Sequence, residues 1–112
     1  MSRRTPMLLA AIAVMVALFA TVAYAAVITG SPQSDILYES NQNDTIDGRG
    51  GSDTLRAQKY TNDEDNLDGG TGIDTLNARD GDQRDTLDGG GGFDTCKGDP
   101  EDTYRNCERT NP

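Results

Sequence analysis

Beyond residue 26 the apolar positions are sparse and evenly placed. Ile28, Leu37, Ile46, Leu55, Leu67, Leu76, Leu87 and Cys96 stand nine residues apart, apart from one step of twelve and one of eleven. Seven of the eight carry an aspartate two places before them, at 35, 44, 53, 65, 74, 85 and 94. The pattern lacks both the 3.6-residue period of an amphipathic helix and the sustained alternation of an ordinary strand. It predicts a turn of six residues, then a three-residue strand with one inward side chain, repeated along the chain. The N-terminal stretch is the reverse, with an unbroken apolar run from Met7 to Ala20.

The turns between these strands carry the chemistry. Gly69–Leu76 reads GGTGIDTL, Gly89–Cys96 reads GGGGFDTC with cysteine in the apolar slot, and Gly48–Leu55 reads GRGGSDTL, departing only at Arg49. Gly-Gly-x-Gly-x-Asp-x-apolar-x is a calcium-binding nonapeptide, and the chain resembles the RTX (repeats-in-toxin) family over roughly residues 27–97. The resemblance implies an all-β fold, a right-handed parallel β-roll of about four short coils. It also implies that each ion sits between two successive turns on one side of the roll. The residue types suit that task. Glycine tolerates the positive φ of such turns and leaves backbone carbonyls exposed, and the aspartate adds a carboxylate. Calcium takes six to eight such oxygens in flexible geometry.

With two turns per coil, alternate repeats share a side. One side collects the turns ending at Asp35, Asp53, Asp74 and Asp94, and with them every glycine-rich turn. The expected ligand-bearing residues are Gly48, Gly51 and Asp53, then Gly69, Gly70, Gly72 and Asp74, then Gly89, Gly90, Gly92 and Asp94. They make two Ca2+ sites, between Asp53 and Asp74 and between Asp74 and Asp94. Asp35, preceded by Ser31, Pro32 and Gln33, is a secondary candidate, as are Asp44, Asp65 and Asp85 on the glycine-poor side. That second side is rich in oxygen ligands (Asn41, Asn43, Asn62, Asp63, Glu64, Asp80, Asp82). It reads as a solvated acidic edge or as a run of weaker sites.

Charge agrees with cation binding. The chain carries 19 acidic and 10 basic residues, net −9, and no histidine. Residues 1–25 read as a secretory signal. Arg3 and Arg4 precede the apolar run, and Ala23-Tyr24-Ala25 offers small residues for cleavage before Ala26. An uncleaved anchor is the alternative, since Met7 to Ile28 approaches the roughly 20 residues that span a bilayer. Cleavage removes two arginines and no acid, taking the net charge from −9 to −11. The remaining chain holds 11 Leu, Ile, Val or Phe, below the roughly 20% share at which a highly charged chain is expected to fold unaided. Bound cations are the natural missing stabiliser; a disordered Gly/Asp-rich linker is the competing reading. Phosphate repulsion disfavours nucleic acid as a partner.

Cys96 and Cys107, an even count in an apparently exported chain, favour a disulfide. Free thiols or a two-cysteine metal site are the alternatives. Lys97 to Asn106 would then fold back over the open end of the roll, with Tyr104 packed beneath. The domain reading is therefore a signal at 1–25, a calcium-binding roll at 26–97 and a tethered cap at 98–112. No nucleophile setting supports catalysis. The expected function is that of a secreted, monomeric calcium-binding repeat protein with a structural or surface role, free of the membrane once its signal is cut. The alternative is an adhesion module presenting a ladder of Thr54, Thr75 and Thr95, with Thr45 and Thr86 flanking Asn66 on the other sheet.

Overall fold

A three-residue strand cannot form a stable hairpin with its neighbour, but it can pair with the strand one full coil later. The computed structural model, which describes residues 25–82 and 84–112, shows this arrangement. Strands β1 (Val27–Thr29), β3 (Thr45–Asp47), β5 (Asn66–Asp68), β7 (Thr86–Asp88) and β9 (Thr103–Arg105) form one parallel sheet in that order. Strands β2 (Ile36–Tyr38), β4 (Thr54–Arg56), β6 (Thr75–Asn77), β8 (Thr95–Lys97) and β10 (Arg109–Asn111) form the other. The fold is the expected all-β parallel roll, and no helix among the described residues is long and apolar enough to cross a membrane. The proposed export signal falls almost entirely outside the described residues.

Register follows from the single inward residue of each strand. Ile28, Ile46, Leu67, Leu87 and Tyr104 align in the first sheet; Leu37, Leu55, Leu76, Cys96 and Thr110 align in the second. A slip of one residue would turn the whole column out to solvent, so one apolar slot per turn suffices to specify pairing. The core is therefore one side chain deep. Ile46, Leu55, Leu67, Leu76, Leu87 and Cys96 are fully buried, with Ile28, Leu37 and Tyr104 packed against them towards the ends. Hydrogen bonding continues past the strands into the turns. Gly48 N donates to Asp68 O at 2.8 Å and Gly69 N to Asp88 O at 2.9 Å, which stacks successive turns in register.

Strands β1–β8 make the four coils of the repeat. The chain after Lys97 does not fold back over the open end as expected but adds a further coil to it, since β9 pairs with β7 and β10 with β8, both parallel. Tyr104 fills the inward slot of β9, and its hydroxyl donates to Asp99 O at 2.7 Å. The disulfide joins Cys96, in the core, to Cys107, in the turn between the last two strands, with a Cα separation of 5.9 Å.

Candidate metal centre

Each coil has two turns, and they form the two long edges of the roll. On the glycine-rich edge the aspartates stack in a column tied by backbone contacts. Asp35 N donates to Asp53 Oδ1, Asp53 N to Asp74 Oδ1 and Asp74 N to Asp94 Oδ1, each at 2.8 Å; Asp94 N completes the series on Glu108 Oε2 at 2.7 Å. One carboxylate oxygen of Asp53, Asp74 and Asp94 is thus committed to holding the coils together. The other oxygen is not. Oδ2 of Asp53, Asp74 and Asp94 is buried and has no hydrogen-bond partner, although an unsatisfied buried carboxylate oxygen costs several kcal/mol in general terms.

What those oxygens face is set by the glycines. A β-carbon built on Gly48 would stand 2.6 Å from Asp53 Oδ2 and 2.8 Å from Gly69 O. On Gly69 it would stand 2.6 Å from Asp74 Oδ2 and 2.8 Å from Gly89 O. The same space recurs at Gly30, bounded by Asp35 Oδ2 and Gly48 O, each at 2.8 Å. These are cradles lined by one carboxylate and one carbonyl oxygen from the next coil, and a methyl group would fill them. The oxygens fit calcium by type, and each cradle joins two turns. Gly72 and Gly92, with φ of 110° and 103°, keep the turns close: a side chain at either would strike the backbone of the coil before it. Asp35 differs from the other aspartates. Its Oδ2 already accepts from Ser31 N at 2.6 Å and Ser31 Oγ at 2.9 Å, so the serine satisfies the oxygen that the later turns leave free.

Burial has the expected electrostatic consequence. It lifts the carboxyl pKa of Asp53 and Asp94 above the ordinary range. For Asp74, burial and then the charges of Asp94 and Asp53 raise it to about 6. Without a cation these groups keep a proton to higher pH than an exposed carboxyl would.

The opposite edge has the same column, built on different turns. Asp44 N donates to Asp65 Oδ1 and Asp65 N to Asp85 Oδ1 at 2.8 Å, and Asp85 N to Asp102 Oδ1 at 3.2 Å. The cradle position is filled. Ala57 and Ala78, whose amides continue the ladder on Asn77 O and Lys97 O, stand where the other edge has Gly48 and Gly69, and both are fully buried. The turns from Ala57 and Ala78 are longer than the six-residue glycine turns, and the added residues carry acids. The reading of this edge as solvated holds for Asn41, Asn43, Asn62 and Glu64, which are exposed, but not for Asp44, Asp63, Asp65 and Asp85, which are at most 5% exposed. Carboxylates cluster here in three groups, Glu39/Asp63/Asp65, Asp63/Asp80/Asp82 and Asp82/Asp85/Asp102, each with ligand atoms mutually within 4.8 Å. Burial followed by neighbouring acids pushes Asp85 up to about 8 and Asp80 to about 6, and raises Asp65, Asp63 and Asp102.

The structure therefore gathers Gly48, Asp53, Gly69, Asp74, Gly89 and Asp94 around the cradles, while Gly51, Gly70, Gly72, Gly90 and Gly92 shape the turns. Asp44 resembles Asp35, since Ser40 donates to both of its oxygens. Glu39 and Asp102 were not singled out from sequence. Asp102 could have been, because Asp102-Thr103-Tyr104 repeats the Asp-x-apolar signature eight residues after Asp94; Glu39 carries no such signal.

No curated protein and no solved structure matches the chain. The RTX calcium-binding nonapeptide repeat does, in four copies over residues 23–55 and 60–96. On that match, with parallel coils, stacked aspartates and glycine cradles in place, the chain belongs to the RTX calcium-binding nonapeptide repeat family.

Proposed function

We propose that this is an exported calcium-binding protein whose roll forms as calcium enters the glycine-rich edge, and whose role outside the cell is structural or surface-interacting. The observation that carries this reading is the run of buried, unpartnered Oδ2 atoms on Asp53, Asp74 and Asp94, each beside a glycine-framed space. Gly48, Asp53, Gly69 and Asp74 would hold one ion, and Gly69, Asp74, Gly89 and Asp94 a second. The bound cation supplies positive charge between two coils; the chain supplies carbonyls and carboxylates fixed by the Oδ1 ladder. A chain with so thin an apolar core gains stability from each ion that binds the folded state alone. Folding and binding become one event, and a low-calcium compartment would keep the chain unfolded for export.

The test is circular dichroism of the full-length chain, disulfide intact, titrated with calcium and separately with magnesium. A cooperative gain of β signal with calcium alone is expected. A spectrum already folded in chelator at pH 8, above the range in which protons replace the cation on the glycine-rich edge, would overturn the coupling of folding to calcium.

One observation favours a second, compatible role. Register places Thr54, Thr75 and Thr95 side by side on one sheet, and Thr45, Asn66, Thr86 and Thr103 on the other. Such a regular hydroxyl array suits an adhesion surface. If replacing Thr54, Thr75 and Thr95 by serine leaves surface binding intact, the methyl-bearing ladder has no such role.

A further inference from the structure

We propose that the glycine-poor edge is a second and chemically distinct cation site, in which calcium-class ions are held by side-chain carboxylates centred on Asp63. The glycine motif plays no part in it.

Asp63 carries the argument. It is 5% exposed, and both of its carboxylate oxygens are buried without a hydrogen-bond partner among the described residues. Glu39, Asp65 and Asp80 around it each use one oxygen in a backbone hydrogen bond and leave the second free, while Asp82 has both of its oxygens engaged. Glu39 Oε1 accepts from the Lys59 and Tyr60 amides, while its Oε2 is unpartnered. Asp65 Oδ1 holds Asp44 N and Asp80 Oδ1 holds Asp82 N, and the Oδ2 atom of each is buried and free. Asp82 is oriented by the Asn62 and Arg84 amides. These carboxylates are held apart from solvent and aimed at one another, which is unfavourable unless something positive lies between them.

The protein provides little of that charge among the described residues: Arg84 acts on Asp63 only as the smallest of its influences, outweighed by burial and by Asp82 and Asp44. Among the described residues the one ion pair is Arg84 to Glu64 at 3.9 Å, with both side chains about half exposed, and it does not involve the cluster. Asp63 belongs to two of the three acidic groups, one completed by Glu39 and Asp65 and the other by Asp80 and Asp82. Its two free oxygens are enough to serve both, so adjacent ions along the edge would share it.

Among the described residues, six unpartnered buried oxygens lie on this edge, on Glu39, Asp63, Asp65, Asp80 and Asp85, against three on the glycine-rich edge. All are hard carboxylate donors. No histidine exists in the chain and both cysteines are oxidised, which removes the ligands that zinc and copper favour. An irregular set of carboxylates drawn from turns of different length suits the flexible, high coordination of calcium better than the strict octahedron of magnesium.

The edges can be tested separately by counting bound calcium. The full-length chain, kept in mild detergent for its apolar N-terminal run, is dialysed against a range of calcium concentrations and its metal content measured by mass spectrometry. Asp63→Asn and Asp80→Asn preserve shape and remove charge, so the metal-free chain is not weakened by them. Each should lower the bound count by at least one ion while leaving intact the ions that Asp74→Asn removes. An unchanged count in both variants overturns the site. Loss of ions in Asp63→Asn with none in Asp74→Asn would uphold it and instead overturn the assignment of the glycine-rich edge. A wild-type chain that binds no calcium would overturn both.

Discussion

The two edges of this roll solve one problem in different ways. Both stack a column of aspartates whose Oδ1 atoms hold the amide of the preceding coil, at nearly identical distances. On one edge glycines at 48 and 69 leave space for a carbonyl and a carboxylate to converge. On the other, Ala57 and Ala78 occupy that space with methyl groups, and lengthened turns bring in Asp63, Asp80 and Asp82. The contrast separates scaffold from site: the Oδ1 ladder builds a roll whatever the turn, whereas the glycines decide whether backbone oxygens can serve a cation.

The largest expected effect exploits the difference in proton affinity between the edges. A buried carboxyl whose folded pKa exceeds its unfolded value binds more protons when folded. It therefore lowers stability as pH rises from the unfolded value to the folded one, after which the loss is complete. For Asp74 that window runs from 3.8 to about 6; for Asp85 it extends to about 8. In chelator the chain should carry more β-sheet signal at pH 5 than at pH 8, with the decline above pH 6 belonging to the acidic edge. Asp85→Asn should flatten that upper part. With saturating calcium the trend reverses, because protons then compete for the ligands. A chelated chain that gains structure between pH 5 and 8 would contradict the burial assigned to both columns.

Within the glycine-rich edge, Asp74 and Asp35 differ at both oxygens: Asp74 Oδ1 also holds the Asp53 amide, whereas Asp35 Oδ1, among the described residues, accepts only from Ser31 Oγ. Asp74 has a free Oδ2 and takes part in both proposed ions, whereas Asp35 has its Oδ2 satisfied by Ser31. Asp74→Ala should raise the calcium midpoint of folding by about 100-fold, corresponding to about 2.7 kcal/mol. Asp35→Ala should raise it by less than about threefold, under about 0.7 kcal/mol. Equal shifts would mean that calcium does not read the free oxygen.

Exchanging the residues of the two cradles gives a smaller effect. Gly69→Ala puts a methyl 2.6 Å from Asp74 Oδ2 and 2.8 Å from Gly89 O, an overpacking that typically costs about 1–3 kcal/mol. It should weaken calcium-driven folding roughly 10- to 100-fold, since each tenfold is about 1.4 kcal/mol. The converse change, Ala78→Gly, removes a buried methyl from the edge that does not use the cradle. It should cost about 1 kcal/mol through backbone entropy and leave the number of bound ions unchanged. If Ala78→Gly gains an ion, the methyl alone separates the edges and the lengthened turns are incidental.

Most of this fold could be read from eight apolar slots, because strand, register and sheet follow once a single inward residue recurs with an aspartate two places ahead. The glycine-rich turns were legible for the same reason, as glycine at a fixed offset has few other uses. The acidic edge was not. Its ligands come from turns of unequal length, so no fixed spacing links Glu39 to Asp63 or Asp63 to Asp80, and only the stacking of coils brings them within reach. The last coil was obscured by its substitutions. Glu108 and Thr110 replace the aspartate and apolar residue of the signature, yet Glu108 still holds Asp94 N and Thr110 still pairs with Cys96.

Arg49 offers the smallest and cleanest adjustment to the glycine-rich edge. It is the one departure from the motif in its turn, and it stands where the next two turns have Gly70 and Gly90. All three adopt left-handed backbone, with φ of 67°, 80° and 78°. The side chain at position 49 is exposed, and the coil before it has Ser31-Pro32 in place of a second glycine turn. At Gly70, by contrast, a β-carbon would run into the Arg49 backbone. The left-handed conformation still costs a non-glycine residue about 1–2 kcal/mol, offset in part by the greater freedom glycine has when unfolded. Arg49→Gly should therefore stabilise the calcium-loaded roll by about 1 kcal/mol, read as a rise in urea midpoint at fixed calcium. It should leave the ion count unaltered, since the carbonyls and carboxylates do not move. A loss of stability would mean that the Arg49 side chain makes a contact worth more than its backbone strain.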